Sequence, residues 1–148
     1  MEALIFMGIQ ASGKSSFYKE RFADTHLRLN LDMLKTRHRE QTLLEAFLKA
    51  KQPFVVDNTN PERKQRAVYI QAAKAQGFRV IGYFFQSRIE DCKKRNAARA
   101  TDEIVPLPGV LSTHAKLELP NLHEGFDQLY FVKINPSGFD VEEWKNEI

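Results

Sequence analysis

The sequence predicts an α/β domain of three layers, a parallel sheet with helices on both faces. Short apolar runs alternate with helical stretches, as parallel strands joined by helices require. The runs at 3–7, 53–57 and 78–85 are apolar almost throughout, which suits strands buried on both sides. Turn residues separate them at regular intervals, without repeats or low-complexity segments.

"ALIFM" (3–7) is a buried strand closed by Gly8, and residues 14–23 form a helix with Phe17 and Phe22 inward. "LRLNL" (27–31) alternates like a strand. The next stretch to residue 50 carries Leu43, Leu44, Phe47 and Leu48 at helical spacing. "PFVVD" (53–57) is a second buried strand. Asn60 is expected to cap, and Pro61 to begin, a helix running to about Gln76 and ended by Gly77. A strand over 78–85 and a basic helix over 88–99 follow, then a loose stretch and a helix near 108–118. "LYFV" (129–132) is expected as the last strand, and "VEEWKNEI" (141–148) as a terminal helix.

With 148 residues, 43% of them apolar, one domain spanning 1–148 is expected. The longest apolar run, 80–85, is too short to cross a bilayer, and the N-terminus lacks a basic-then-apolar signal pattern. A soluble cytoplasmic protein with no membrane partner is expected; protein partners are left open. Cys92 is alone, so it forms no internal disulfide. His26, His38, His114 and His123 include no pair at i, i+4 and read as surface or half-buried residues. A net charge of +3 suits an anionic partner only where the charge gathers near a site.

Gly8 to Ser15, "GIQASGKS", spells G-x-x-x-x-G-K-S between a predicted strand and a predicted helix. This is the phosphate-cradling loop, so the fold expected is the three-layer P-loop NTPase/kinase fold. Gly8 and Gly13 let successive N–H groups turn inward, and the following helix adds its positive end. Gly8, Ala11, Ser12, Gly13, Lys14, Ser15 and Ser16 are therefore the candidate nucleotide-binding residues, with ATP and Mg²⁺ as cofactors. Lys14 reaches the β- and γ-phosphates, and the Ser15 hydroxyl ligates the metal.

Asp32, in "LNLDML", falls at the carboxyl end of a strand, where such sheets bind ligands. It either takes a proton from an attacking hydroxyl or, with Asn30, caps the next helix. Asp57, closing "FVVD", supports Mg²⁺ or belongs to a polar turn, and Asn58 and Thr59 beside it are candidates for positioning substrate. Arg95 and Arg99 share a helix face ahead of a segment with little apolar content. They form either a lid over about 95–106 that brings arginine to the transferring phosphoryl group, or a solvated charged face.

Together these elements resemble the polynucleotide 5′-hydroxyl kinases, most closely the kinase domain of polynucleotide kinase-phosphatases. "GIQASGKSS" matches the phosphate loop, "LNLDML" the N-R-D segment, and "VVDNTNPERKQRAVYIQAAKAQG" runs almost continuously with the family; "VP" and "LHEGF" follow in order. The resemblance covers nearly the whole chain. It implies that Lys14 and Ser15 hold nucleotide and metal, that Asp32 is the general base, and that Asp57 is the metal-proximal acid. It further implies that Thr59 contacts substrate and that Arg99 contacts the transferring phosphate, with Arg95 beside the nucleotide. The family's arginine before the base is Leu31 here. Lys35 replaces an arginine that holds a substrate 3′-phosphate, and Asn58 replaces the acid that braces it. No phosphatase signature appears.

The activity expected is ATP- and Mg²⁺-dependent phosphorylation of the 5′-hydroxyl of DNA or RNA. The alternatives are a kinase for a small hydroxylated metabolite or nucleoside, which Leu31 and Lys35 favour, and a nucleotide-binding ATPase module.

Overall fold

The computed structural model describes residues 1–146. Six strands form one sheet in the order β2-β3-β1-β4-β5-β6. Strands β1 (Glu2–Met7), β2 (Leu27–Leu29), β3 (Phe54–Val56), β4 (Arg79–Phe85) and β5 (Gln128–Asn135) run parallel. β6 (Gly138–Glu143) returns antiparallel to β5. β1 lies between β3 and β4, so the chain order changes direction at its carboxyl end, where a ligand crevice opens.

The continuous apolar pattern of the strands has a direct structural cause. Ala3, Ile5 and Met7 face one core with Leu44 and Leu48 of α3 (Arg37–Ala50) and Tyr69, Ile70 and Ala73 of α4 (Arg63–Ala75). Leu4 and Phe6 face the other, with Phe17 of α1 (Lys14–Arg21). That second layer is aromatic: Phe6 lies 5.0 Å from Phe85, and Phe17 lies 5.1 Å from Phe139, centroid to centroid. Such pairs add about 0.5–1.5 kcal/mol each beyond burial.

Three expectations change. First, the helix expected after the second strand is broken, and strand β2 ends at Leu29. A short helix α2 (Leu31–Leu34) ends where Lys35 takes φ 76°, and Thr36 then caps α3 by accepting from Arg39 N. Second, Asn60 caps nothing. Gln65 Oε1 accepts from Glu62 N at 3.1 Å, which starts α4 two residues beyond Pro61. Asn60 instead takes φ 44° and donates to Phe6 O at 2.8 Å, tying the turn to β1. Gly77 does end α4, at φ 77°.

Third, residues 138–143 form β6, not a helix, and β5 is not the last strand. The turn Asn135-Pro136-Ser137-Gly138, in which Asn135 Oδ1 accepts from Ser137 N at 2.8 Å, sends the chain back along β5. Phe139 then packs on Phe17, and Trp144 packs on Phe84 at 4.9 Å. Two residues of the expected helix, 147 and 148, lie outside the described residues. No helix among the described residues is long and apolar enough to cross a membrane.

Candidate active site

The loop between β1 and α1 is built as its glycines demand. Gly8 has φ 154° and Gly13 φ 99°, and a Cβ at Gly13 would meet Ile134 and Phe139 side-chain atoms at 3.0 Å. Ala11 also stands in the left-handed region, at φ 63°, a conformation that costs a residue with a Cβ about 1–2 kcal/mol. Contacts from other elements hold the loop: Gly8 N donates to Thr59 O at 3.0 Å, and Ile9 N donates to the buried Ser87 Oγ at 3.1 Å.

Lys14 is buried, and its Nζ donates to Gly8 O and Ile9 O, each at 2.9 Å, and to Ser12 Oγ at 3.3 Å. Burial lowers its pKa from 10.5 to about 8, partly offset by the negative charge of Asp57. A cation held at such a cost is poised for anions, because phosphate oxygens restore the charge–charge stabilisation that burial removed.

Beside it, Ser15 Oγ donates to Asp57 Oδ2 at 3.0 Å. Asp57 is 1% exposed at the end of β3, so loop hydroxyl and strand carboxylate meet as hard oxygen donors. This pair fits Mg²⁺ arriving with nucleotide phosphates. Among the described residues no cluster of three or more His, Cys, Asp or Glu forms a separate metal cage. A third group, absent from the sequence reading, completes the arrangement: Arg28 of β2 donates through Nε to Asp57 Oδ2 at 2.8 Å and through a terminal nitrogen to Ser15 Oγ at 2.7 Å.

Of the two tasks the sequence left open for Asn30 and Asp32, the helix cap falls to Asn30. Asn30 is the cap of α2: its Oδ1 accepts from Met33 N at 3.0 Å, and its Nδ2 donates to Asp57 O at 2.7 Å. Asp32 is exposed in the first turn of α2, and its carboxylate has no hydrogen bond or ion pair among the described residues. Asn58 fixes the same helix by accepting from Leu31 N at 3.0 Å. Its Nδ2 donates to the buried Glu40, which also accepts from Tyr69 and Arg37. Burial, with Glu40 beside it, pushes the Tyr69 phenol above its ordinary pKa.

A cavity of about 390 Å³ joins these groups, with Lys14, Ser15, Asp32, Asp57, Thr59 and Arg99 on its walls. Ala11, Gly13, Ser16 and Asn58 also line it, whereas Gly8, Ser12 and Lys35 do not. Arg95 lies elsewhere. Its Nε donates to Ala11 O at 2.7 Å, and it lines a neighbouring cavity of about 360 Å³ with Ile134, Asn135 and Phe139. Arg99 borders both cavities.

The segment after α5 (Ile89–Ala97) was expected to have little to pin it, but it is tied down. Asn96 is buried, donates to Val105 O at 2.7 Å and accepts from Val105 N at 3.0 Å. The loop so closed holds a 3₁₀ turn (Thr101–Glu103) before α6 (Leu107–Lys116). Arg66 was also missed. This fully buried side chain of α4 bonds Asn60 O, Pro61 O and Glu118 O and pairs with Glu124 at 3.1 Å, fixing the turn after β3 from below. The "RAVYIQAA" spacing (66–73) that puts Tyr69, Ile70 and Ala73 in the core was the available signal, since it turns position 66 inward as well.

The AAA domain family matches residues 35–120, more than half of the chain. The bifunctional polynucleotide phosphatase/kinase of Schizosaccharomyces pombe is 28% identical over 129 residues, covering 84% of this chain and 32% of that protein. A putative bifunctional polynucleotide phosphatase/kinase of Acanthamoeba polyphaga mimivirus is 27% identical over 153 residues, covering 97% of this chain and 36% of that protein. The chain thus spans about a third of the length of these curated relatives. A gluconokinase from Sinorhizobium meliloti 1021 shares the fold, with a TM-score of 0.62 at 19% identity over 89% of this chain and 82% of that one. The family match extends over the elements that carry Asp57, Arg66 and Arg99, the loop geometry supplies the phosphate cradle ahead of them, and the chain belongs to the AAA domain family with a P-loop fold.

Proposed function

We propose that the chain transfers the γ-phosphoryl group of ATP, with Mg²⁺, to the 5′-hydroxyl of a DNA or RNA strand. One observation carries this reading: the unpartnered Asp32 carboxylate shares a cavity with Lys14, Ser15 and Arg99. A switch-type ATPase has no task for such a base, whereas a hydroxyl nucleophile needs one. The hydroxyl oxygen forms the new P–O bond, the bond to the β-phosphate oxygen breaks, ADP leaves, and the hydroxyl proton passes to Asp32. Lys14 and Arg99 stabilise charge on the group in flight. Ser15 and Asp57 would hold Mg²⁺, which would supply neutralisation of the phosphate charge.

Two observations favour a strand over a smaller acceptor. Arg37 and Arg39 are exposed a few residues beyond Asp32, a basic rim suited to backbone phosphates. The curated relatives are named as polynucleotide phosphatase/kinases. Leu31, in place of the arginine of that resemblance, favours instead a small hydroxylated acceptor. In this reading residues 1–148 are one catalytic domain, Arg95 lies along the nucleoside, and Thr59, Asn58 and Lys35 meet the acceptor.

Asp32→Ala tests the assignment. We expect phosphoryl transfer to disappear while ATP binding, measured by calorimetry, stays within about twofold, because the Asp32 carboxylate makes no hydrogen bond or ion pair to the described residues of the phosphate loop. Loss of ATP binding in that variant would make Asp32 a structural residue.

A further inference from the structure

The Ser15–Asp57 pair is already bridged by a cation of the chain itself. Arg28 Nε lies 2.8 Å from Asp57 Oδ2, a terminal nitrogen lies 2.7 Å from Ser15 Oγ, and Ser15 Oγ donates to the same Asp57 oxygen at 3.0 Å. The guanidinium fork thus takes the two side-chain oxygens that suit a divalent ion.

A hydroxyl has one proton and two lone pairs. The Ser15 proton goes to Asp57, and one lone pair accepts from Arg28. A Mg²⁺ bound to the other lone pair at about 2.1 Å would sit within roughly 4 Å of the guanidinium, where two cations repel strongly in a partly buried site. Asp57, at 1% exposure, needs a cation beside it in either state, since an unpaired buried carboxylate is costly. The metal and Arg28 are therefore alternative partners of one subsite.

The fold also gives the arginine a contact that does not depend on Ser15. Arg28 Cζ lies 5.6 Å from the Tyr18 ring centroid, and that ring is anchored by its hydroxyl donating to His26 O at 2.7 Å. The arginine side chain retains 19% exposure, so its outer end is not locked in the core.

We propose that Arg28 is the resident cation of the metal subsite. It holds Ser15 against Asp57, and when metal loads it gives up the Ser15 hydroxyl while keeping its contact with the Tyr18 ring. This rests on the reading that Ser15 and Asp57 hold the metal of a bound nucleotide. Metal alone then competes poorly against the tethered guanidinium, and metal carried on phosphates displaces it. Arg28 is accordingly a positioning residue that couples metal affinity to nucleotide.

The test is a Mn²⁺ titration of the full chain by electron paramagnetic resonance, with and without ADP, on wild type, Arg28→Gln and Arg28→Lys. Arg28→Gln should bind Mn²⁺ at least tenfold more tightly without ADP, and the gain from adding ADP should shrink. Arg28→Lys, with one ammonium unable to span both oxygens, should fall between. Unchanged or weaker Mn²⁺ binding in Arg28→Gln, with Mn²⁺·ADP still bound by wild type, would overturn the proposal alone. A crystal of the wild-type Mn²⁺·ADP complex that keeps the Arg28–Ser15 hydrogen bond would overturn it without any variant. Failure of wild type to bind Mn²⁺·ADP at all would remove the nucleotide reading of the site, and the proposal with it.

Discussion

Asn58 donates to Glu40 at 2.9 Å and accepts from the backbone of Leu31 at 3.0 Å, so a buried carboxylate on α3 sets the position of the helix that carries Asp32. Glu40 is 4% exposed and also accepts from Tyr69 at 2.6 Å and Arg37 at 3.1 Å. Glu40→Ala leaves those donors without their acceptor. We expect a loss of about 2–4 kcal/mol in stability, measured by urea unfolding. In the folded variant turnover should fall while the Kd for ATP is kept, because the network touches α2 and not the phosphate loop. Equal losses in turnover and ATP affinity would assign Glu40 to general stability alone.

Arg66 is the heaviest structural commitment of α4, fully buried with three backbone carbonyls and Glu124 as partners. Arg66→Met preserves apolar bulk but strands Glu124 and those carbonyls. A destabilisation of about 3–5 kcal/mol is expected, the usual scale when one partner of a buried pair is removed. A thermal midpoint unchanged from wild type would contradict this.

Lys14 gives nucleotide binding a signature in pH. Its pKa in the free protein is lowered to about 8, by burial foremost. Bound phosphates favour the charged form and raise that value again. The sign follows: below pH 7 the lysine is protonated in both states and binding moves no proton there, whereas between about 8 and 10 binding takes up a proton and affinity falls as pH rises. Calorimetry of ADP binding in buffers of different ionisation enthalpy at pH 7 and pH 9 reads this directly. Lys14→Met should abolish the uptake; uptake that survives would have to come from another group.

Arg99 borders the phosphate-loop cavity and its neighbour, and among the described residues its guanidinium makes only one long hydrogen bond, 3.5 Å to Glu103 O. Arg99→Ala should lower turnover on the order of a thousand-fold with little change in stability. Near-normal turnover would return it to a solvated charged residue just beyond α5.

What could be read from the sequence follows the range of the interactions involved. The phosphate loop is a local backbone motif, so Gly8, Gly13, Lys14 and Ser15 were legible from spacing, and Asp57 from the apolar strand before it. β6 was not, because its identity depends on Phe139 reaching Phe17, over a hundred residues away, and on a turn whose Asn-Pro-Ser-Gly signal was overlooked. Asn60 misled because Asn before Pro suits a cap, while the Glu62–Gln65 pair moved the true start and freed Asn60 to bond Phe6 O. Arg28 left no local trace: in "LRLNL" it reads as the polar side of a strand, and its partners Ser15 and Asp57 come from two other elements.

The most direct test of the central assignment is transfer of γ-labelled phosphate from ATP to a panel of acceptors: 5′-hydroxyl DNA and RNA oligomers, a 3′-mononucleotide and free nucleosides. The account predicts label on the oligomers, absent when their 5′ ends already carry phosphate and absent with Asp32→Ala. Label confined to mononucleotides or nucleosides, or ATP hydrolysed with no acceptor labelled, would contradict it.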